Sequence, residues 1–234
     1  MIAENLKIVR EKISEKCSAV NRNSSEIKLI AVSKNFGLND IQTAFDEGLR
    51  DFGENKAQEL DAKFERLGNK ITWHFIGNLQ RNKVRFVVNT AEYIHSVDSL
   101  LLASEINKYA GKISKIQKIL LQVKTSDEAA KSGIVAESEV RDIAFYCREF
   151  KNIELAGLMT IAPFTEDKEL IRKSFGSLRR IRNKLNSEGL NLKELSMGMT
   201  SDFEIAIEEG ATMLRIGSAI FGERDYSKDW KEKL

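Results

Sequence analysis

This chain of 234 residues holds two cysteines, two histidines and one proline, and each scarcity rules something out. Cys17 and Cys147 lie far apart with no paired spacing, which argues against a disulfide framework and for two free thiols in a cytoplasmic protein. With His74 and His95 as the only histidines, a histidine-rich metal centre is not expected. The lone Pro163 leaves no proline-rich linker, and one domain over residues 1–234 is the expectation. No apolar run approaches a membrane span, and Met1 opens an amphipathic pattern rather than a signal peptide. Neither sign of charge prevails: 37 basic residues against 35 acidic ones leave +2, so no bulk field favours nucleic acid. Walker loops, Gly-x-Gly-x-x-Gly turns and Gly-x-Ser-x-Gly elbows are also missing, which weakens nucleotide, dinucleotide and hydrolase readings.

What is present is alternation. Leu6, Val9 and Ile13 mark an N-terminal helix, and Asn21 to Ser25 breaks it. Strand-length runs follow at Ile27–Ser33, Asp51-Phe52, Ile71–Ile76, Tyr93–Ser96, Ile119–Val123, Leu155–Met159, Leu195-Ser196 and Met213–Ile216. Between them run helical stripes such as Val140, Ile143, Ala144, Cys147 and Phe150, or Ile171, Phe175, Leu178, Ile181 and Leu185. Eight strand–helix units in one short chain point to an α/β fold, a single (β/α)8 TIM barrel. A doubly wound open sheet is the alternative, because periodicity does not distinguish closed from open.

The most informative stretch is Leu195–Arg224. It contains two strand-to-loop junctions rich in small and hydroxyl residues, Ser196, Gly198, Thr200 and Ser201, then Gly217 and Ser218. A short helix over Asp202–Gly210 separates them. Backbone amides at such turns suit an anion, and a phosphate is the natural guest. Arg215 interrupts the apolar run Met213–Ile216, and a cation there needs a partner or a ligand. Lys34 directly follows the buried strand Lys28–Ser33, at the end where barrels place their chemistry, and a desolvated amine there can form a Schiff base. A plain surface lysine is the competing reading. Glu54 and Asn55 follow Gly53 as candidate helix caps, with the Asn55 amide also a candidate ligand contact. His74 reads as a core histidine or a pocket residue, His95 to Ser99 as a strand end with Ser96 and Asp98 as cap, and Ser132-Gly133 after Lys131 as a loop. The charged tail Arg224–Lys233 reads as a solvated end.

The segments IKLIAVSK, DFGENKAQEL, WHFIGNLQRNK, HSVDS, GLMTIAPF and LSMGMTSDFEIAIEEGATMLRIGSAIFGER together resemble the pyridoxal phosphate homeostasis proteins. The resemblance implies a barrel similar to the N-terminal domain of alanine racemase, with pyridoxal 5'-phosphate (PLP) held as a Schiff base. It implies Lys34 as the linking lysine and Arg215 as the partner of the pyridine nitrogen. It further implies Ser196, Thr200, Gly217 and Ser218 as the phosphate cradle, and Asn55 and His74 beside the ring. This chain departs from the family where Ser33-Lys34 continues as Asn35-Phe36-Gly37, for which a more mobile loop is expected.

Arginine does not take up the pyridine proton as a carboxylate would, so the ring is a weaker electron sink. In the racemases a second base, a tyrosine, comes from an additional β domain. Only Glu223–Leu234 follow the last barrel segment here, with Tyr226 among them, so no such domain is expected. The expected function is therefore PLP sequestration and delivery, with apo PLP-dependent enzymes as partners, no nucleic acid, no membrane, no catalytic residue and a monomeric state. The alternative is a PLP-dependent amino-acid racemase or related PLP enzyme. An aldolase-like barrel or a pure interaction module stand behind it.

Overall fold

Eight short strands close on themselves in a computed structural model that describes residues 1–126, 132–223 and 229–234. They are β1 (Lys28–Val32), β2 (Asp51–Glu54), β3 (Thr72–Phe75), β4 (Tyr93–Val97), β5 (Gln117–Gln122), β6 (Ile153–Met159), β7 (Glu194–Ser196) and β8 (Met213–Ile216). Every neighbouring pair is parallel, in chain order, and β1 pairs with β8 in the register Lys28↔Met213, Ile30↔Arg215 and Ala31↔Ile216. That last pairing decides between the two folds allowed by the sequence, because an open doubly wound sheet leaves its edge strands apart. The chain is a (β/α)8 barrel.

The helices are α1 (Ile2–Ala19), α2 (Leu38–Asp46), α3 (Ala57–Leu67), α4 (Val84–Thr90), α5 (Leu100–Lys112), α6 (Glu137–Tyr146), α7 (Lys168–Ser187), α8 (Phe203–Glu208) and the single turn α9 (Ser218–Phe221). Each presents one apolar stripe to the strands. In α7 that stripe is Ile171, Phe175, Leu178, Ile181 and Leu185, and Asp167 caps the helix by accepting from the N–H groups of Glu169 and Leu170. In α1 it is Ile2, Leu6, Val9, Ile13 and Cys17, each side chain contributing roughly 1.5–3 kcal/mol by leaving water. Helix α1 packs against α8, α9 and α2, so the N-terminal helix occupies the place in the outer ring that a full-length helix after β8 would fill.

Two apolar cores result. The larger lies between strands and helices, and the smaller fills the barrel with Ile30, Tyr93, Leu120, Ala156, Met159 and Met213. Cys17 and Cys147 are both buried free thiols, and burial pushes Cys147 up to about 12. Several local expectations are corrected. Lys56 stands at the N-cap of α3 and gives no side-chain cap, so neither Glu54 nor Asn55 caps it, and Ser99 rather than Asp98 caps α5 by accepting from Leu102 N–H. Ser132 turns back onto β5, where its carbonyl accepts from Gln122 Nε2, while Lys131 lies outside the described residues. Tyr226 and the start of the charged tail also lie outside them, but the tail's far end is not simply solvated, since Lys233 Nζ donates to Asn35 O at 3.0 Å. No described helix is long and apolar enough to cross a membrane.

Candidate functional site

Because all eight strands run the same way, the residues that leave their carboxyl ends share one mouth. Lys34 leaves β1, Asn55 leaves β2, Thr160 leaves β6, Gly198 and Thr200 follow β7, and Gly217 and Ser218 follow β8. The sequence-predicted Lys34, Asn55, Thr200, Gly217 and Ser218 are thus brought to one end, with Arg215 reaching it from inside β8.

Lys34 is half-buried, and its backbone is fixed from both sides. Lys63 of α3, fully buried, donates to Ser33 O at 2.9 Å, to Glu54 Oε1 at 2.8 Å and to Glu59 Oε1 at 2.8 Å. Ser33 Oγ donates to Glu54 Oε1 at 2.6 Å, and Asn35 N–H donates to Glu59 Oε1 at 2.7 Å. Burial, only partly offset by Lys63, raises Glu54 to about 6. Asn35 takes φ +65°, and Phe36 stacks on Phe221 with centroids 4.8 Å apart. The departure at Asn35-Phe36-Gly37 therefore does not loosen the loop: a buried ionic cluster and a ring stack hold it. Glu59 and Lys63 were missed in the sequence because an i,i+4 ion pair on an amphipathic helix reads as a solvated face.

Across the mouth, Ser218 Oγ donates to Thr200 Oγ1 at 3.2 Å, and Ala219 N–H points to the same oxygen at 3.4 Å. The N–H groups of Thr200, Ser201 and Ser218 have no acceptor among the described residues. Gly198 has φ +94°, and a Cβ there would stand 2.6 Å from Ala206 Cβ, so only glycine brings this loop so near α8. Asn55 Oδ1 is buried and accepts no hydrogen bond from the described residues, an arrangement that costs desolvation free energy unless a ligand donor fills it. Gly77 lets β3 pass Asn55 closely, since a Cβ on it would meet Asn55 O at 2.0 Å. Beside the mouth, Ile161, Pro163, Phe164, Met199 and Asp202 line a cavity of about 500 Å³.

Arg215 is buried, and its acceptors are neutral: Nη1 donates to Ser196 Oγ at 2.6 Å and Nη2 to Thr160 O at 2.9 Å. Desolvation lowers its guanidinium to about 10, opposed by the charge of Asp202. The side chains of His74 and Ser196 turn inward rather than out of the mouth. They lie in the barrel interior, where His74 has Asp51 and His95 on its two ring nitrogens and Ser196 Oγ lies between Arg215 and His95. In the sequence His95 is only part of a strand end. Its signal was a polar side chain at an inward-facing position of a strand buried throughout.

Comparison with known proteins follows this geometry. Residues 3–225 match the family described as alanine racemase, N-terminal domain. A pyridoxal phosphate homeostasis protein of Aquifex aeolicus is 41% identical over 225 residues, covering 95% of this chain and 98% of the relative. One of Escherichia coli is 40% identical over 235 residues, with 97% and 98% covered. Among solved structures, PipY of Synechococcus elongatus with PLP bound superposes with TM-score 0.84 at 35% identity, covering 95% of this chain and all of the other. An alanine racemase of Clostridium difficile reaches TM-score 0.78 at 16% identity, and only 60% of that chain is covered, so it shows the fold alone.

Proposed function

The chain belongs to the pyridoxal phosphate homeostasis protein family, and from that premise we propose that it binds PLP at the carboxyl mouth of its barrel and takes part in PLP sequestration and delivery, without a dedicated reaction of its own. The observation that carries this reading is the pairing, at one mouth, of a clamped lysine with a set of backbone N–H donors that have no acceptor among the described residues. Lys34 supplies the amine that condenses with the aldehyde carbonyl, with loss of one water. Thr200, Gly217 and Ser218 supply the phosphate cradle. Asn55 Oδ1, buried and without a donor among the described residues, would border the ring, and Arg215 would face the pyridine nitrogen. His74 and Ser196 support Arg215 from behind rather than touch the cofactor. When bound, PLP contributes an electron-withdrawing ring and a reactive aldehyde. An arginine beside its ring nitrogen leaves that nitrogen unprotonated and the sink weak, which suits storage better than carbanion chemistry.

The same reading makes the protein a cytoplasmic monomer of one domain that hands PLP to apo-enzymes. Borohydride reduction of PLP-treated protein followed by peptide mass mapping tests the site. A phosphopyridoxyl group on Lys34 is expected; its appearance on another lysine, or on none, overturns the assignment. Delivery fails if loaded protein cannot activate an apo-enzyme of the PLP class. Sustained release of D-amino acids, lost in Lys34→Ala, would favour the racemase instead.

A further inference from the structure

The barrel interior holds a polar chain that the binding reading does not use. Asp51, at the start of β2, lies 2.9 Å from His74 Nε2. His74 Nδ1 lies 2.9 Å from His95 Nε2, and His95 Nδ1 lies 2.8 Å from Ser196 Oγ, which receives Arg215 Nη1 at 2.6 Å. Both histidines are fully buried, and the His74 ring stacks on Tyr93 at 4.9 Å with the planes 3° apart. At the far end Asp51 keeps about a fifth of its side chain exposed. There it lines a cavity of about 450 Å³ at the amino end of the barrel, together with Lys28, Tyr93, Glu92 and Lys118.

The proton order along this chain follows from its ends. Arg215 only donates, and an ionised Asp51 only accepts. Four hydrogen bonds separate them, and each is filled once if the serine hydroxyl donates to His95 Nδ1 and both histidines carry their proton on Nε2. The opposite order would place the bare Nε2 of His74 against a carboxylate and bring a second N–H onto Ser196 Oγ, displacing its hydroxyl proton. Burial disfavours charge on both rings, against the pull of Asp51 at His74, and the neighbouring His74, Arg215 and Lys28 disfavour it further at His95.

We propose that Asp51 is a positioning residue for Arg215: by accepting from His74 it fixes the tautomers of His74 and His95, and so leaves the Ser196 oxygen to Arg215 alone as the acceptor that orients the guanidinium. The inference rests on the assignment of Arg215 to the cofactor face only for its consequence, not for its test. A carboxylate at one mouth of the barrel thereby sets the donor geometry at the other.

The sequence has only these two histidines, so nitrogen-15 NMR of histidine-labelled protein without cofactor reads the chain directly. In the unaltered protein both rings should be neutral with the proton on Nε2. Asp51→Leu should mix or reverse the tautomers at His74 and, through it, at His95, whereas Asp51→Asn should restore the order because its carbonyl still accepts. A His95 protonated on Nδ1 in the unaltered protein, or a His95 unmoved by Asp51→Leu, overturns the proposal. The first of these needs no variant to fold. In the loaded protein, Asp51→Leu should weaken PLP binding about fivefold, the worth of one hydrogen bond, and Asp51→Asn should leave it within about twofold. Unchanged affinity with altered tautomers would overturn the functional half of the proposal, while an unaltered protein that binds no PLP would overturn the binding reading and leave the tautomer result standing.

Discussion

Lys63→Met is the most informative perturbation of the lysine loop. Lys63 Nζ is, among the described residues, the sole cation paired with Glu54 and Glu59, and all three side chains are fully buried. The second oxygens of both carboxylates, Glu54 Oε2 and Glu59 Oε2, already lack hydrogen-bond partners among the described residues. Methionine keeps the volume and removes the charge, leaving two uncompensated carboxylates. Breaking a buried pair from one side costs about 3–5 kcal/mol. For a chain of this size each kcal/mol moves Tm by about 2–4 °C, so a fall of roughly 6–20 °C is expected at pH 8. The pH dependence is the sharper check. Glu54 is raised from 4.5 to about 6 in the folded protein, so its contribution is fully present below 4.5 and is lost as the pH rises through 6. Without Lys63, which lowers it, Glu54 rises further and takes a proton more readily. The gap in Tm between variant and unaltered protein should therefore narrow from pH 8 to pH 5 in calorimetry. Hydrogen exchange at the Asn35 amide, which donates to Glu59, should quicken alongside. A fall of less than about 3 °C, or one equal at both pH values, would refute the view that this cluster clamps Lys34.

Gly198→Ala meets φ +94° and a contact of 2.6 Å at once, and should cost about 1–3 kcal/mol from overpacking, read as a lowered urea midpoint. Arg215→Met removes a buried cation whose acceptors are neutral, so Tm should change little while PLP capture weakens, measured by absorbance titration. His74 and His95 have folded values below 6.5, so they give stability present above pH 6.5 and lost as the pH falls through those lowered values. His95→Gln should accordingly compare better with the unaltered protein at pH 5 than at pH 7 in urea melts. Cys17 and Cys147, buried and raised, should resist alkylation in native protein at pH 8 and react only on unfolding.

The strands were legible because a parallel strand buried on both faces reads as a short apolar run. Met213–Ile216 is bounded as expected, and Lys28–Val32 loses only its terminal residues. Closure was not legible, since the pairing of β1 with β8 leaves no local trace. Arg215 stood out because a charge within an apolar run is conspicuous; Lys63 did not, because nothing in AQELDAKFERL distinguishes a lysine facing water from one turned onto two glutamates. His74 and Ser196 were placed beside the cofactor by the resemblance, and alternation along a strand gives the face of a residue but not its depth in the barrel or the partners it meets there. The Asp51-to-Arg215 chain needs five strands in register before it exists at all.

The two halves of the mouth come from opposite ends of the chain, which raises the question of what holds the barrel shut when a carrier is empty. Closure through β1 and β8 is reinforced by contacts from the N-terminal segment, those of Arg22 lying at the amino end of the barrel. Arg22 Nη1 and Nη2 donate to Ile207 O and Ala211 O, Asn5 Nδ2 donates to Ile220 O, and Lys16 pairs with Glu208. Lys28 N–H takes Thr212 O at 2.7 Å. None of these groups belongs to the proposed cofactor site, so the α1 lock and the ligand contribute separately. PLP binding only the closed form should add about 2.7 kcal/mol at a hundredfold excess over Kd, and cofactor-free protein should still melt in one cooperative step. Arg22→Ala should lower Tm by the same amount with or without PLP, because the two effects act on distant groups and add. If Arg22→Ala instead abolished cooperative melting only in the cofactor-free protein, closure would depend on the ligand, and a protein that unfolds on release could not serve as a reusable carrier.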